Sequence, residues 1–292
     1  MKYINMNTGN TIPMLGFGVF KMLDKDECKN SVLYAIKNGY RLIDTAAVYT
    51  NEDAVGEAVK EAIEEGICTR DELFITSKLW ANDMKNEDTA KAAIEKTMKK
   101  IGLDYLDLFL VHQALGDYFS GYRAMTEGYK AGIFKAIGVS NFYPNILTNF
   151  CETVEIIPAV NQIELHPYFV QNDALETMKY YNIVPEAWAP LGGGRYDAFN
   201  EPILTETAKK YNKTVGQVML RWNVQRGVVV IPKSTHENRI KENFDIWDFE
   251  LTEDEMNKIS SLDMGYGDTR TKHFNPEFVR MCLNNVEKIN KP

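Results

Sequence analysis

The stretch Gly39-Tyr-Arg-Leu-Ile-Asp-Thr-Ala-Ala-Val-Tyr-Thr-Asn-Glu52 holds the repeating unit from which the fold of this 292-residue chain is built. Its short apolar run, Arg41–Asp44, predicts a strand that is covered on both faces. After it, the apolar residues of Glu52–Glu64 recur about every 3.6 positions, which predicts a helix with Asn51 as its cap. A strand followed by a helix is the βα unit of parallel-sheet folds.

The same unit recurs along the chain. Further strands are predicted at Met14–Gly18, Leu73–Thr76, Leu106–Val111, Ala136–Val139, Ala159–Gln162, Val184–Ala187 and Val228–Ile231. Further helices are predicted at Asp26–Asn38, Thr89–Ile101, Tyr122–Ala131 and Asn172–Tyr181. Because no Pro- or Ser-rich linker interrupts them, these units favour an α/β protein of one domain, residues 1–292, folded as a (β/α)₈ TIM barrel rather than a doubly wound sheet. Ahead of them, Tyr3–Met6 and Thr11–Pro13 predict a β-hairpin that closes the bottom of the barrel.

Composition and charge exclude several classes of function. The chain has 33 Lys and Arg against 41 Asp and Glu, a net charge of −8. Because binding to nucleic acid or to anionic membranes needs clustered positive charge, we expect neither partner. The absence of a long apolar run predicts no membrane helix and no signal peptide, and therefore a cytoplasmic protein. The four cysteines form no CxxC pair, so we expect no metal site and no disulfide framework.

Charged and polar residues follow the predicted strands at the end where barrel enzymes place their catalytic groups. They are Asp44, Lys78 and His112, with Tyr49 five residues after Asp44. Taken singly, each has another interpretation. Asp44 could be a helix cap or part of a loop ion pair, and Lys78 could be a solvated surface lysine. His112 could be a hydrogen-bonded core histidine, and Tyr49 an exposed loop residue. Taken together, four such residues at strand ends favour an active site.

Several motifs carry a family resemblance. Besides residues 39–52, they are Phe74–Trp80, Gly138–Phe142, Gln162–Pro167 and Ile231–Ser234. In this order the sequence resembles the aldo-keto reductase family from about Thr11 to about Leu262, and within it the bacterial branch of diketogulonate, glyoxal and prostaglandin-F-type reductases. The resemblance implies a barrel that binds a nicotinamide cofactor without the usual dinucleotide fingerprint, which Gly16-Phe-Gly18 does not complete.

The resemblance also implies a catalytic tetrad of Asp44, Tyr49, Lys78 and His112. Carbonyl reduction needs a hydride donor and a proton donor, and Tyr49 has a hydroxyl that can give the proton. We expect the Lys78 ammonium to lower the pKa of Tyr49 and Asp44 to orient Lys78. His112 would hydrogen-bond the substrate oxygen.

Two groups of residues resemble the family's cofactor site. The adenosine-phosphate group is Ile231, Lys233, Ser234, Thr235, Arg239, Glu242 and Asn243. The cations Lys233 and Arg239, beside the hydroxyl donors Ser234 and Thr235, suit a 2′-phosphate, so we expect NADPH (NADP+) as cofactor. The alternative is that the two cations form surface ion pairs with Glu237 and Glu242. For the nicotinamide, Ser140, Asn141 and Gln162 would bind the carboxamide, Trp188 would stack on the ring unless it merely packs in the core, and Pro190 and Leu191 would line the channel.

The substrate pocket is predicted to be walled by Phe17, Val19, Trp80, His112 and Phe142. The loop after His112 lacks the family's proline, the segment Gly192–Phe199 is short, and the tail from Met264 departs from the family pattern. Short loops favour small, varied substrates. We therefore expect a monomeric, NADPH-dependent reductase of small aldehydes and ketones, such as α-dicarbonyls or keto sugars. The alternative is a regulatory or structural subunit that binds cofactor in the same barrel without turnover.

Overall fold

Strands and helices alternate along the chain in the computed structural model, which describes residues 1–267 and 272–284. The strands β1 to β10 are Tyr3–Asn5, Thr11–Pro13, Gly16–Gly18, Leu42–Asp44, Phe74–Leu79, Leu108–Val111, Ile137–Ser140, Val160–Glu164, Val184–Trp188 and Val229–Val230. The helices α1 to α11 are Lys25–Lys37, Glu52–Glu64, Glu87–Ile101, Tyr118–Lys130, Pro144–Cys151, Asn172–Tyr180, Pro202–Tyr211, Val215–Gln225, Glu237–Phe244, Glu253–Ser260 and Pro276–Asn284. None of these helices is both long and apolar enough to cross a bilayer.

The strands β3 to β10 form a parallel sheet in which each strand pairs with the next along the chain. The two edges then meet, because Leu15 bridges to Val230 and the Val230 amide donates to the Met14 carbonyl at 3.1 Å. The Gly18 amide likewise donates to the Pro232 carbonyl at 3.1 Å. The predicted (β/α)₈ barrel is therefore confirmed.

Side chains alternate between the barrel interior and the helix layer, as the two-residue period of a strand requires. The interior cluster includes Leu42, Phe74, Leu108, Leu110, Ala136, Val160, Val184, Val229 and Ile231. Their neighbours along the strands, such as Ile43, Ile75 and Phe109, pack in a separate cluster with the helices. Both faces of each strand are thus buried, which explains the nearly continuous apolar runs in the sequence.

The predicted hairpin is present as β1 and β2, which pair antiparallel with Ile4 opposite Ile12. Ile12 is fully buried, and with Met6 it joins the interior cluster. The hairpin therefore seals the end of the barrel at which the strands begin, so that the opposite end is left for chemistry.

The predicted N-cap residue of α2 is in place, but its side chain does not cap the helix. Asn51 stands at the N-cap of α2, but its side chain donates to the carbonyls of Val19 and Met22 at 3.0 and 3.2 Å instead of capping the helix. At Asn51 a tertiary contact between two loops replaces the local hydrogen bond. Helix α6 begins at Asn172, as predicted, and its N-cap residue is Gln171.

Candidate active site

A buried ion pair lies at the carboxyl ends of β4 and β5. The Lys78 Nζ is 2.6 Å from Asp44 Oδ1, and it also donates to the Thr45 carbonyl at 2.8 Å. The Lys78 side chain is 0% exposed and that of Asp44 3%. Both face the interior, because they continue the alternation that begins at Leu42 and Phe74. A charge this deeply buried is costly without an oppositely charged partner, so each residue of the pair keeps the other in position.

Tyr49 and His112 complete the predicted group of four. Tyr49 ends a 3₁₀ turn that follows β4, and its hydroxyl lies 3.5 Å from the Nε2 of His112. The Lys78 Nζ is 5.0 Å from the centre of the Tyr49 ring. His112 directly follows β6. The structure thus brings together all four residues that sequence reasoning selected, from positions 68 residues apart at the extremes (112 − 44).

The protonation states of His112 and Tyr49 follow from their burial. Burial, helped by the Lys78 charge, holds the pKa of His112 well below its usual value of 6.5, so its ring is neutral. Burial, followed by the charges of Asp44 and Glu186, raises the pKa of Tyr49 well above 10. The expectation that Lys78 lowers the pKa of Tyr49 is therefore wrong for this state. The reason is that Lys78 makes its hydrogen bonds to Asp44 and Thr45, so its charge is largely compensated.

A second buried carboxyl, Glu186, was missed by the sequence analysis. It lies on β9 directly opposite Gln162 on β8, and the Gln162 Nε2 donates to Glu186 Oε2 at 3.0 Å and to Asp44 Oδ2 at 2.8 Å. Burial, followed by the charge of Asp44, raises the pKa of Glu186 to about 8. The available signal was an acidic residue inside an apolar strand, two positions before Trp188 and hence on the same face.

The predicted nicotinamide residues surround this group. The Trp188 indole N–H donates to Asn141 Oδ1 at 2.9 Å, and the Asn141 amide donates to the His112 carbonyl at 3.0 Å. The Ser140 hydroxyl donates to the Gln162 backbone carbonyl at 2.8 Å. These bonds connect Trp188 through Asn141 to the backbone of His112. Among the described residues, nothing donates to the side-chain oxygen of Gln162, which leaves it able to accept a hydrogen bond from a ligand.

A glycine-rich loop follows Trp188, after the buried Pro190 and the half-buried Leu191. Gly192, Gly193 and Gly194 have φ angles of 75°, 61° and 74°. Because side chains strain this left-handed backbone, the run of three glycines is what allows the tight turn. The turn places Arg195, which sequence reasoning missed, 2.7 Å from the buried Glu164 and 5.8 Å from the centre of a Trp188 ring.

The predicted phosphate residues gather where β10 leads into α9. Lys233 and Arg239 are exposed, and Arg239 lies in the first turn of α9, close to the positive end of the helix dipole. The described structure shows no ion pair for either cation, so the alternative of an ion-pair set is not supported. Glu242 instead accepts from the Thr214 hydroxyl at 2.8 Å. The remaining members of the group are more enclosed: Ile231, Ser234 and Asn243 are buried, and Thr235 is half-buried.

Three of the predicted pocket residues are fully or almost fully buried. Phe17 is 1% exposed, and its ring packs 5.7 Å from that of Tyr40 in the helix layer; Val19 is fully buried in the same cluster. Phe142 is 0% exposed and packs against Phe150 at 5.0 Å. The prediction that Phe17 walls the pocket is therefore wrong, and the assignment of Val19 and Phe142 to the pocket stays a prediction. Since Gly16 and Gly18 occupy the interior positions of β3, Phe17 must point outward.

Two aromatic side chains, Phe20 and Trp80, lie beside Tyr49 and His112 and form a wall of the site. Phe20 is 42% exposed, and its ring lies 4.9 Å from that of Tyr49. The predicted Trp80 is in place, edge-on to His112 at 5.0 Å. Its indole N–H donates to the Cys282 carbonyl on α11 at 3.0 Å.

The tail also contacts the loop after His112, where His273 Nε2 lies 2.8 Å from Gln113 Oε1. The described part of the tail thus supports both the wall and this loop. Of the tail that departs from the family pattern, residues 268–271 and 285–292 lie outside the described residues.

Comparison with known proteins agrees with this geometry. The sequence profile of the Aldo/keto reductase family matches residues 14–264. A glyoxal reductase of Bacillus subtilis is 46% identical over 89% of this chain and 92% of its own length. The methylglyoxal reductase DkgA of Escherichia coli is 40% identical over 90% of this chain and 94% of its own. The crystal structure of a Bombyx mori aldo-keto reductase in complex with NADP superposes with a TM-score of 0.88 at 36% identity, covering 95% of this chain and 98% of that one.

Proposed function

The chain belongs to the aldo/keto reductase family, and we propose that it reduces small aldehydes and ketones to alcohols with NADPH. One observation carries the proposal: the buried Asp44–Lys78 pair stands beside a tyrosine held in its protonated form and a neutral histidine. This is the set of groups that delivers a proton to an oxygen on which negative charge develops. A non-catalytic role would have no need of it.

Each residue has a distinct task in the reaction. Bound NADPH supplies the hydride. Tyr49 gives its hydroxyl proton to the substrate oxygen, and its raised pKa keeps that proton in place at neutral pH. The neutral His112 donates an N–H to the same oxygen and so orients the carbonyl. Lys78 neutralises the Asp44 carboxylate, so that this charge opposes less strongly the phenolate that remains on Tyr49 after proton transfer.

The cofactor assignment rests on two regions of the site. The exposed cations Lys233 and Arg239, at the start of α9, suit a 2′-phosphate and therefore favour NADPH over NADH. The side-chain oxygen of Gln162 suits the amide of the nicotinamide, and Trp188 is placed beside it to stack on the ring. The NADP bound to the Bombyx mori relative supports this choice.

For the substrate we propose α-dicarbonyls of the glyoxal and methylglyoxal type. The names of the two bacterial relatives support this class. Two aromatic side chains support it as well, because Phe20 packs against Tyr49 and Trp80 packs against His112, which leaves apolar surface beside the reacting groups. Keto sugars, which are larger and more polar, are the second class to be tested.

The test is to follow the oxidation of NADPH optically with a panel of α-dicarbonyls, simple aldehydes and keto sugars. We expect the highest kcat/KM with an α-dicarbonyl and no turnover without a carbonyl compound. A protein that binds NADPH but turns over no member of the panel would be a cofactor-binding subunit, and the proposal would fail. A preference for keto sugars would retain the reaction and overturn the substrate class.

A further inference from the structure

Gln162 uses both of its amide hydrogens within the protein. One goes to Asp44 Oδ2 at 2.8 Å and the other to Glu186 Oε2 at 3.0 Å. Two carboxyl acceptors settle the orientation of the amide, because a flipped amide would turn its oxygen toward them. The Gln162 oxygen therefore points away from the carboxyls. The in-register pairing of Gln162 with Glu186 across β8 and β9 makes this arrangement rigid.

Glu186 brings a second carboxyl into a cluster that holds one compensating cation. It is 0% exposed, and its Oε1 has no hydrogen-bond partner among the described residues. The groups that face it are Asp44 from β4, Lys78 from β5, and Tyr49 from the turn after β4. Lys78 is already paired with Asp44. An ionised Glu186 thus leaves the buried cluster one negative charge in excess, whereas a protonated Glu186 leaves it neutral.

Glu186 also lies directly below the place proposed for the nicotinamide. It is two positions before Trp188 on the same strand, so both side chains face the interior, about 7 Å apart along β9. The reduced nicotinamide ring is uncharged, and the oxidised ring carries one positive charge. A carboxylate at this depth therefore favours the oxidised ring over the reduced one.

We propose that Glu186 is a positioning residue: it holds the Gln162 amide so that its oxygen faces the nicotinamide, and by losing its proton it shifts the site's preference toward the oxidised cofactor. The inference rests on the proposed function, because it assumes that the nicotinamide binds beside Gln162 and Trp188. The raised pKa of Glu186, about 8, places the change of preference at mildly alkaline pH. His112 and Tyr49 do not interfere there, since the pKa of one lies well below and that of the other well above this range.

The experiment measures the Kd of NADPH and of NADP+ by protein fluorescence between about pH 6.5 and about pH 9.5. The ratio of the two constants removes the titration of the 2′-phosphate near about pH 6, which both cofactors share. In the wild type we expect NADP+ to gain roughly tenfold over NADPH across this range, the change that corresponds to a shift of about one pKa unit in Glu186. Calorimetry in two buffers should show proton release when NADP+ binds near about pH 8.

Two substitutions separate charge from position. Glu186→Gln keeps an oxygen that accepts from Gln162 but cannot titrate, so the ratio should become independent of pH and proton release should disappear. Glu186→Met removes the acceptor as well, so both cofactors should bind more weakly. Glu52→Gln is the matched control, since Glu52 is a buried carboxyl of raised pKa that is hydrogen-bonded by Ser77 in the helix layer. This control should keep the wild-type dependence on pH.

The outcomes are distinguishable. An unchanged pH dependence in a Glu186→Gln protein that folds cooperatively would overturn the inference and leave the proposed function standing. So would a wild-type ratio that does not vary with pH. A wild-type protein that binds neither cofactor would overturn the proposed function, and the inference with it. If Glu186→Met does not fold, the Gln variant and the wild-type titration still decide the question.

Discussion

The two ends of the barrel interior differ sharply, although the same strands supply both. Where the strands begin, the interior is filled by residues such as Leu108 and Val184 and is sealed by Ile12 of the hairpin. A few residues further along, the same faces carry charged and polar groups, among them Asp44 and Lys78. Apolar burial at one end raises the free energy of unfolding, whereas the desolvation of buried charges at the other end lowers it. The residues that stabilise the fold and the residues proposed for catalysis thus occupy opposite ends of the barrel interior. Substitutions at either end test whether the two sets act independently.

The largest expected effect is that of Tyr49→Phe on catalysis. The substitution removes the proposed proton donor and keeps the ring that packs against Phe20. We expect kcat/KM to fall by about 100- to 10,000-fold with little change in melting temperature and in NADPH affinity. Steady-state kinetics and fluorescence titration measure the two quantities. Retention of more than about a tenth of the wild-type rate would show that another group gives the proton.

Lys78→Met tests how much the buried ion pair contributes to the free energy of unfolding. It leaves Asp44 buried without its ammonium, so we expect the free energy of unfolding to fall by about 3–5 kcal/mol, together with loss of activity. The double variant Asp44→Asn/Lys78→Met removes both charges and should regain most of the stability while staying inactive. Urea denaturation measures both. A double variant as unstable as the single one would mean that the pair's charge is not what holds this end together.

Leu108→Ala tests the apolar end. Leu108 is fully buried in the interior cluster, so we expect a loss of about 2–5 kcal/mol in the free energy of unfolding. The activity of the folded fraction should stay within about twofold of the wild type, because distant sites act nearly independently. Denaturant unfolding and active-site titration measure the two effects. A large fall in kcat of the folded protein would show that the two ends are coupled.

Glu186→Gln should stabilise the protein in a pH-dependent way. The folded pKa of about 8 lies above the ordinary value of 4.5, so between these values the folded state holds a proton that the unfolded state has released. Wild-type stability therefore falls as pH rises toward 8 and levels off above it. At about 1.4 kcal/mol per pKa unit, the variant's advantage should be small at acidic pH and on the order of 5 kcal/mol above about pH 8. Urea unfolding of both proteins across this range is the measurement; equal pH dependence would contradict the assignment.

The smallest expected effect is that of Arg239→Ala on cofactor choice. If Arg239 binds the 2′-phosphate, NADPH affinity should fall by about 1.5–3 kcal/mol, or about 10- to 150-fold, and NADH affinity should not change. Lys241→Ala, which removes another exposed cation of α9, is the matched control and should leave both affinities unchanged. An equal loss for NADPH and NADH would place Arg239 in a role common to both cofactors.

Much of the fold could be predicted because its signals are local. The strand predicted at Leu106–Val111 is observed at Leu108–Val111, and the helix Glu52–Glu64 agrees at both ends. These elements are set by apolar spacing and by glycines that stop helices, both of which are readable in a short window. The same alternation places Phe17 in the helix layer, and the pocket prediction was wrong for this residue because the alternation was not applied to β3.

The sequence by itself determined the order of the strands, the hairpin beneath them and the four residues grouped at their ends, because a two-residue period and position along a strand are sufficient for these. The tertiary structure alone decided the state of those residues. It placed Gln162 between Asp44 and Glu186, two carboxyls contributed by strands far apart in sequence. It also buried Tyr49 and thereby raised a pKa that Lys78 was expected to lower. Protonation depends on the solvent excluded and the charges assembled around a group, and both arise only when distant segments pack together.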